Sequence, residues 1–99
     1  MVMNTNNTKI IAMVITIYEE KSYSKENISF LAETIDRDDE NLRILGTRFF
    51  KFCPSDYAIA SILASNDDRI GHLKTKINAT ITKERLEFLQ ELIPQFYNL

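Results

Sequence analysis

The chain has 99 residues, of which 44% are hydrophobic and 26% are charged, and its formal net charge is −2. This length is enough for one domain with a single modest core, and the apolar fraction is too high for a disordered chain. The slight negative charge gives no overall attraction to nucleic acid or to anionic lipid. The single cysteine, Cys53, excludes an intrachain disulfide and therefore the disulfide-rich secreted scaffold. Only two glycines and two prolines are present, which favours helices joined by short connections.

The N-terminal residues 1–7 are polar and predicted to be frayed, which leaves residues 8–99 as a single helical domain. In the next segment, "KIIAMVITIY" (Lys9–Tyr18), the run Ile10–Tyr18 is apolar on all sides and predicts a central, fully buried element. It is far shorter than the roughly 20 residues that cross a bilayer and lacks the flanks of a signal peptide. Its β-branched residues also suit a strand, with "KINATIT" (Lys76–Thr82) as the candidate partner strand. Helix is favoured, and an α+β fold remains the alternative.

Two similar dodecapeptides, "SKENISFLAETI" (Ser24–Ile35) and "TKERLEFLQELI" (Thr82–Ile93), predict two helices. Each begins with a hydroxyl residue that can cap a helix and has a glutamate in the first turn. An apolar residue before each cap pairs with one four positions after it, which is the hydrophobic staple. The predicted buried faces are Ile28, Leu31 and Ile35 in the first helix and Leu86, Leu89 and Ile93 in the second.

The segment after Ile35, "DRDDENLRILGTRFFKF", permits a new helix capped by an aspartate at 36, 38 or 39, or one long helix from about 25 to 52. Cys53-Pro54 ends this segment, and Ser55 is predicted to cap the following helix, "DYAIASILAS". "NDDRIGHLKTKI" predicts a further helix, and Pro94 is predicted to close the last one. The shared face of that further helix is Ile70, Leu73 and Ile77. The fold class is therefore all-α, a small bundle of four long or six short helices.

No constellation of residues predicts catalysis. His72 follows Asp68 by four positions and could form half of a metal site, but no third ligand stands at a recognisable spacing. Cys53 with His72 as a nucleophile and base would lack an orienting group, so Cys53 is predicted to be a small buried apolar contact. We expect neither an enzyme nor a bound metal or cofactor.

Two segments are candidates for binding a partner. In "RFFKF", Phe50 lies about 100° from the predicted core position Phe49 and between two cations, which is typical of an interface anchor. The candidate partner-binding residues of this segment are Arg48, Phe50 and Lys51. In the tail "PQFYNL", Phe96, Tyr97 and Leu99 either fold back on the bundle or contact a partner.

Residues 33–45 have the spacing of a helix-turn-helix motif. Its recognition helix would begin with Asp38, Asp39 and Glu40, which would repel the phosphates that such a helix approaches. A nucleic-acid-binding regulator is therefore the alternative function, and nucleic acid is not the expected partner.

The stretch "INATITKERLEFLQELI" resembles the last-helix region of the immunity proteins that protect lactic-acid bacteria against pediocin-like (class IIa) bacteriocins. The resemblance implies an antiparallel four-helix bundle that acts in the cytoplasm and blocks a bacteriocin-bound membrane receptor, with its C-terminal part helping to choose the target. It also implies that Phe88, Phe96 and Tyr97 contact the partner. The predicted function is a small, non-catalytic, protective or inhibitory protein-interaction module whose partner is another protein or a second copy of the chain.

Overall fold

A computed structural model describes residues 5–37 and 52–99, and within these ranges the chain forms six α-helices and no strand. The helices are α1 Thr5–Glu20, α2 Lys25–Ile35, α3 Pro54–Ala64, α4 Gly71–Thr80, α5 Lys83–Phe88 and α6 Ile93–Tyr97. Short 3-10 helices, Asp68–Ile70 and Leu89–Glu91, precede α4 and connect α5 to α6. The predicted all-α fold is confirmed. The α+β alternative is wrong, because residues 9–18 lie in α1 and residues 76–80 lie in α4.

The central element is α3, which packs against α1, α2, α4 and α6. Its buried side chains include the small residues Ala58, Ala60, Ser61 and Ala64, which let the surrounding helices approach closely. The prediction that Ile10–Tyr18 would be the fully buried element is wrong. On α1, Val14 and Ile17 are buried, but Met13 is 46% exposed, so α1 is an outer amphipathic helix.

The end of α1 is closed by a left-handed residue, Lys21, at φ 52°. The Ser22 N–H donates to the carbonyl of Ile17 at 3.1 Å, and the Lys21 N–H donates to the carbonyl of Tyr18 at 3.3 Å. This pair of bonds is the Schellman arrangement, which usually has glycine at the left-handed position because a Cβ is disfavoured there. The turn therefore carries local backbone strain.

The hydroxyl caps predicted at the start of the two dodecapeptides are confirmed. Ser24 Oγ accepts from the Asn27 N–H, and Thr82 Oγ1 accepts from the Arg85 N–H, each at 3.1 Å. After Ser24, α2 ends at Ile35, and Asp36 has non-helical angles (φ −86°, ψ 1°). One continuous helix from 25 to 52 is therefore wrong. The alternative caps Asp38 and Asp39 lie outside the described residues.

The second dodecapeptide does not form one helix. α5 ends at Phe88, Leu89–Glu91 is a 3-10 helix, and α6 begins at Ile93. Pro94 therefore lies in the first turn of α6 and does not close a helix as predicted. A proline is tolerated there because its missing N–H has no intrahelical acceptor in the first turn. The predicted face is nevertheless turned inward, with Leu89 and Ile93 buried and Leu86 half-buried.

The start of α3 differs from the prediction by two residues. The N-cap is Cys53 (φ −92°, ψ 167°), with Pro54 in the first turn, whereas Ser55 is inside the helix. The Cys53 N–H donates to the Asp56 carboxylate at 3.0 Å. The acid thus reaches back from the third helical position to the backbone of the cap residue, which is one half of a capping box. On α4 and the 3-10 turn before it, Ile70, Leu73 and Ile77 are buried as predicted.

Candidate protein-binding groove

A groove of about 470 Å³ lies between the end of α2, α4 and α5. Ile59 of α3 and Ile77 of α4, which are 3% and 2% exposed, contribute its most deeply buried lining. Ile35, Ile81 and Phe88 are half-buried and also line it. The described lining is therefore apolar at its centre, which suits the apolar side chain of a binding partner.

The rim of this groove carries both signs of charge. Lys76 Nζ lies 2.9 Å from Asp36 Oδ2 and 3.1 Å from Asp36 Oδ1. These side chains are 47% and 61% exposed, so their ion pair is a surface contact between α4 and the end of α2. Glu84, which is exposed, and Arg85, which is half-buried, also line the groove. An apolar centre inside a polar rim is the usual anatomy of a protein interface.

The guanidinium of Arg85 points from the groove towards the start of α3. Its Nη2 donates to Asp56 Oδ1 at 2.9 Å and to Ser55 Oγ at 2.8 Å. The Asp56 side chain is fully buried, and the Arg85 side chain is 18% exposed. The Cys53 Sγ lies 3.2 Å from both Ser55 Oγ and Asp56 Oδ2. Cys53 is therefore buried as predicted, but its contacts are polar. This cluster fastens α5 to α3.

Phe88 lies half-buried at the groove, and its ring centroid is 5.0 Å from that of Phe52. The Phe52 ring in turn meets the Tyr57 ring edge-on at 6.3 Å. Aromatic side chains thus line and support one part of the groove. Phe88 was a predicted partner-binding residue, and its position in the groove suits that role.

Two other predicted partner-binding residues, Phe96 and Tyr97, do not line the groove. Phe96 is 2% exposed, and its ring meets that of Tyr18 edge-on at 5.0 Å, so it has folded back on the bundle. Tyr97 and Leu99 are 62% and 58% exposed. Within the tail, Phe96 therefore packs on the bundle, whereas the side chains of Tyr97 and Leu99 remain exposed. Arg48, Phe50 and Lys51 lie outside the described residues.

A second hollow of about 460 Å³ lies between the α1–α2 turn and the connection from α3 to α4. Three of its polar lining residues are bonded to one another: the Tyr23 hydroxyl lies 3.3 Å from Ser65 Oγ, and the Ser65 hydroxyl accepts from the Asp67 N–H. Burial raises the pKa of Tyr23. Hydrogen bonds from Arg69 lower the pKa of Asp67 to about 2. These contacts hold the turn in place, so the groove is the better candidate site.

In the described part of the chain, no group of three or more His, Cys, Asp or Glu side chains could hold a metal ion. His72, the predicted half-site, is exposed on the first turn of α4. Across residues 5–37 and 52–99, no helix is both long enough and apolar enough to cross a bilayer.

Comparison with protein-family models, curated proteins and solved structures finds no match for this chain. The groove and its surroundings are therefore the basis on which a function is proposed.

Sequence reasoning did not find the groove, although it named Phe88. The groove is assembled from residues of α2, α3, α4 and α5 that lie far apart in the chain. The sequence signal that could have indicated the groove was an apolar residue at the end of a helix. Ile35 is the last residue of α2, and Phe88 is the last residue of α5. An apolar residue at the end of a helix can line a junction between elements as readily as a core.

Proposed function

We propose that this protein is a small, non-catalytic protein-binding module, and that the groove between α2, α4 and α5 receives an apolar side chain of the partner. The observation that supports this is the groove's composition, since the buried Ile59 and Ile77 and the half-buried Phe88 all line it. Large apolar side chains seated in such pockets dominate the affinity of protein interfaces.

The charge of the rim favours a protein partner over a nucleic acid. Asp36 and Glu84 oppose the approach of phosphates, while Lys76 and Arg85 are each within 2.9 Å of a carboxylate oxygen. A protein segment with charges of both signs around an apolar residue complements such a rim. We therefore propose a protein segment of that composition as the occupant.

A protective or inhibitory role in the cytoplasm is part of the proposal and is supported by the resemblance of residues 77–93 to bacteriocin immunity proteins. In that family, the C-terminal part helps to choose the target. Tyr97, at the end of α6 and 62% exposed, is in a position to supply such a contact. In this proposal Asp56 and Arg85 hold α3 and α5 together, and no bond of a substrate is made or broken.

The test begins with crosslinking and capture of the partner from the native host, followed by affinity measurements with the purified partner. Phe88→Ala and Glu84→Lys are expected to weaken binding at least about tenfold, since they remove an anchor and reverse a rim charge. Glu84 is exposed, so its variant tests the surface without disturbing the core.

Met13→Ala is the matched control, because Met13 is an exposed apolar residue of α1 that does not line the groove. We expect its affinity for the partner to be unchanged. Equal affinities for all three variants would contradict the groove as the binding site. Binding to random duplex DNA that weakens steeply with salt would instead favour the nucleic-acid-binding alternative.

A further inference from the structure

We infer that the Asp36–Lys76 ion pair is a tie between two walls of the groove and tunes the affinity of the groove for its occupant. This inference rests on the proposed function. Asp36 follows Ile35 at the end of α2, and Lys76 precedes Ile77 on α4, and all four residues line the groove. The Lys76 ammonium contacts both carboxylate oxygens of Asp36, at 2.9 and 3.1 Å, across 40 residues of chain.

The tie acts where α2 ends. Asp36 is the C-cap of α2, and beyond it Arg37 Nη2 donates to Asn7 Oδ1 of α1 at 3.1 Å. The Arg37 contact holds the end of α2 against α1, and the ion pair holds it against α4. Ile35, the residue before Asp36, is thereby held at the groove that Ile77 also lines. A groove whose walls are already in place binds its occupant more tightly, because less ordering remains to be done on binding.

Salt or mutation can weaken the Asp36–Lys76 ion pair because both side chains are exposed. Both side chains are about half in contact with water, at 47% and 61% exposure. Pairs of this kind are weak, so losing the tie is expected to lower affinity roughly two- to fivefold. Salt screens exposed ion pairs, so raising the ionic strength should also lower the affinity of the protein with an intact ion pair.

The experiment titrates the full chain with Nile red, an uncharged apolar probe that the altered charges do not attract or repel. Binding is followed by NMR of the isoleucine δ1 methyl groups. The groove reporters are Ile35, Ile59, Ile77 and Ile81, and the remote controls are Ile17, Ile62 and Ile93. The variants are Asp36→Asn, Lys76→Gln and the exchange of both charges, Asp36→Lys with Lys76→Asp.

We expect the probe to shift the groove methyl groups more than the remote ones. Each single variant should weaken binding roughly two- to fivefold, and the exchanged pair should restore it to within a factor of about two. Added salt should weaken binding to the original protein and to the exchanged pair, but not to the single variants. Because both side chains are exposed, thermal unfolding is expected to shift little and serves as a check that each variant is folded.

Two results would overturn the tie while leaving the groove in place. One is equal affinity in all variants, and the other is weakening in the single variants that the exchanged pair does not repair. A third result, no preferential shift of the groove methyl groups in any form of the protein, would overturn the groove as a binding site and the tie with it.

Discussion

Arg85 and Asp56 are joined by two N–H groups that converge on one carboxylate oxygen: Nη2 and Nε lie 2.9 and 3.2 Å from Oδ1, although the residues are 29 positions apart. The other carboxylate oxygen, Oδ2, accepts the N–H of Cys53 at the start of α3. One fully buried carboxylate therefore caps the central helix and holds α5 against it.

Replacing Arg85 by methionine is expected to destabilise the protein by about 3 kcal/mol, because it removes a charged hydrogen-bond donor from a fully buried carboxylate. Chemical unfolding measures the loss. Lys83→Met changes an exposed cation two positions away in α5 and should cost little. Adding Asp56→Asn to the Arg85 variant should cost less than the sum of the single effects. Simple additivity of the two changes would show that the pair is not coupled.

Lys21→Gly is expected to stabilise the protein by about 1 kcal/mol, since it relieves the left-handed strain at φ 52°. Lys21→Ala is the matched control: it removes the same charge but keeps the Cβ, so its thermal midpoint should stay near that of the original chain. A glycine variant no more stable than the alanine variant would mean that the turn is not strained.

Stability should fall as the pH drops from about 4 to about 2, in part because of Asp67. Its pKa is lowered from 3.8 to about 2, first by the side-chain hydrogen bonds from Arg69 and then by the bond from the Arg69 N–H. In that interval the unfolded chain binds a proton that the folded chain does not, so acid favours unfolding. Asp67→Asn retains an acceptor for the Arg69 N–H but has no titratable group. Thermal melts from pH 5 to pH 2 should therefore show a shallower loss for this variant, and parallel curves would contradict the role of Asp67.

Removing the cap of α2 by Ser24→Ala is expected to cost about 1 kcal/mol, because the Asn27 N–H loses its acceptor at 3.1 Å. Ser29→Ala, an exposed position inside the same helix, should cause no loss, because alanine is the better helix former. Denaturant midpoints of the two variants separate capping from general effects of removing a hydroxyl. Equal destabilisation of both would argue against the cap.

In the tail, we expect Phe96 to contribute to stability and Tyr97 to contribute to partner binding. Phe96→Ala is expected to destabilise by about 3 kcal/mol, since the ring is buried against Tyr18. Tyr97→Ala should leave stability within about 0.5 kcal/mol, because its side chain is mostly exposed. Under the proposed function, only Tyr97→Ala should weaken partner binding in a protein that remains fully folded. A large loss of stability from Tyr97→Ala would contradict this division.

Local chemistry made part of the fold predictable from sequence. Ser24 and Thr82 could be identified as caps because the side chain of a cap bonds to a backbone group three residues away. Similarly, Ile70, Leu73 and Ile77 follow the period of a helix and are buried on one side. These features depend on neighbours within a few turns, so one sequence contains the information.

The prediction of the central helix failed because burial is decided by the whole fold. Residues 9–18 contain more large apolar side chains than α3, yet α1 is an outer helix. α3 lies at the centre because its alanines and serines fit where several helices converge. The cap at Cys53 was missed for a related reason. The cap residue is a cysteine, and the acid that accepts its N–H is itself bonded to Arg85, 29 positions further along.

The small side chains of α3 also bear on how this protein can change over evolutionary time. At Ala58 and Ala60, both fully buried, even one added methyl group would press on a neighbouring helix. The exposed sides of α1, α2 and α4 are free of that constraint. Among diverged descendants of this sequence, we expect the "AIASILA" stretch to keep its pattern of side-chain sizes after most surface residues have been substituted.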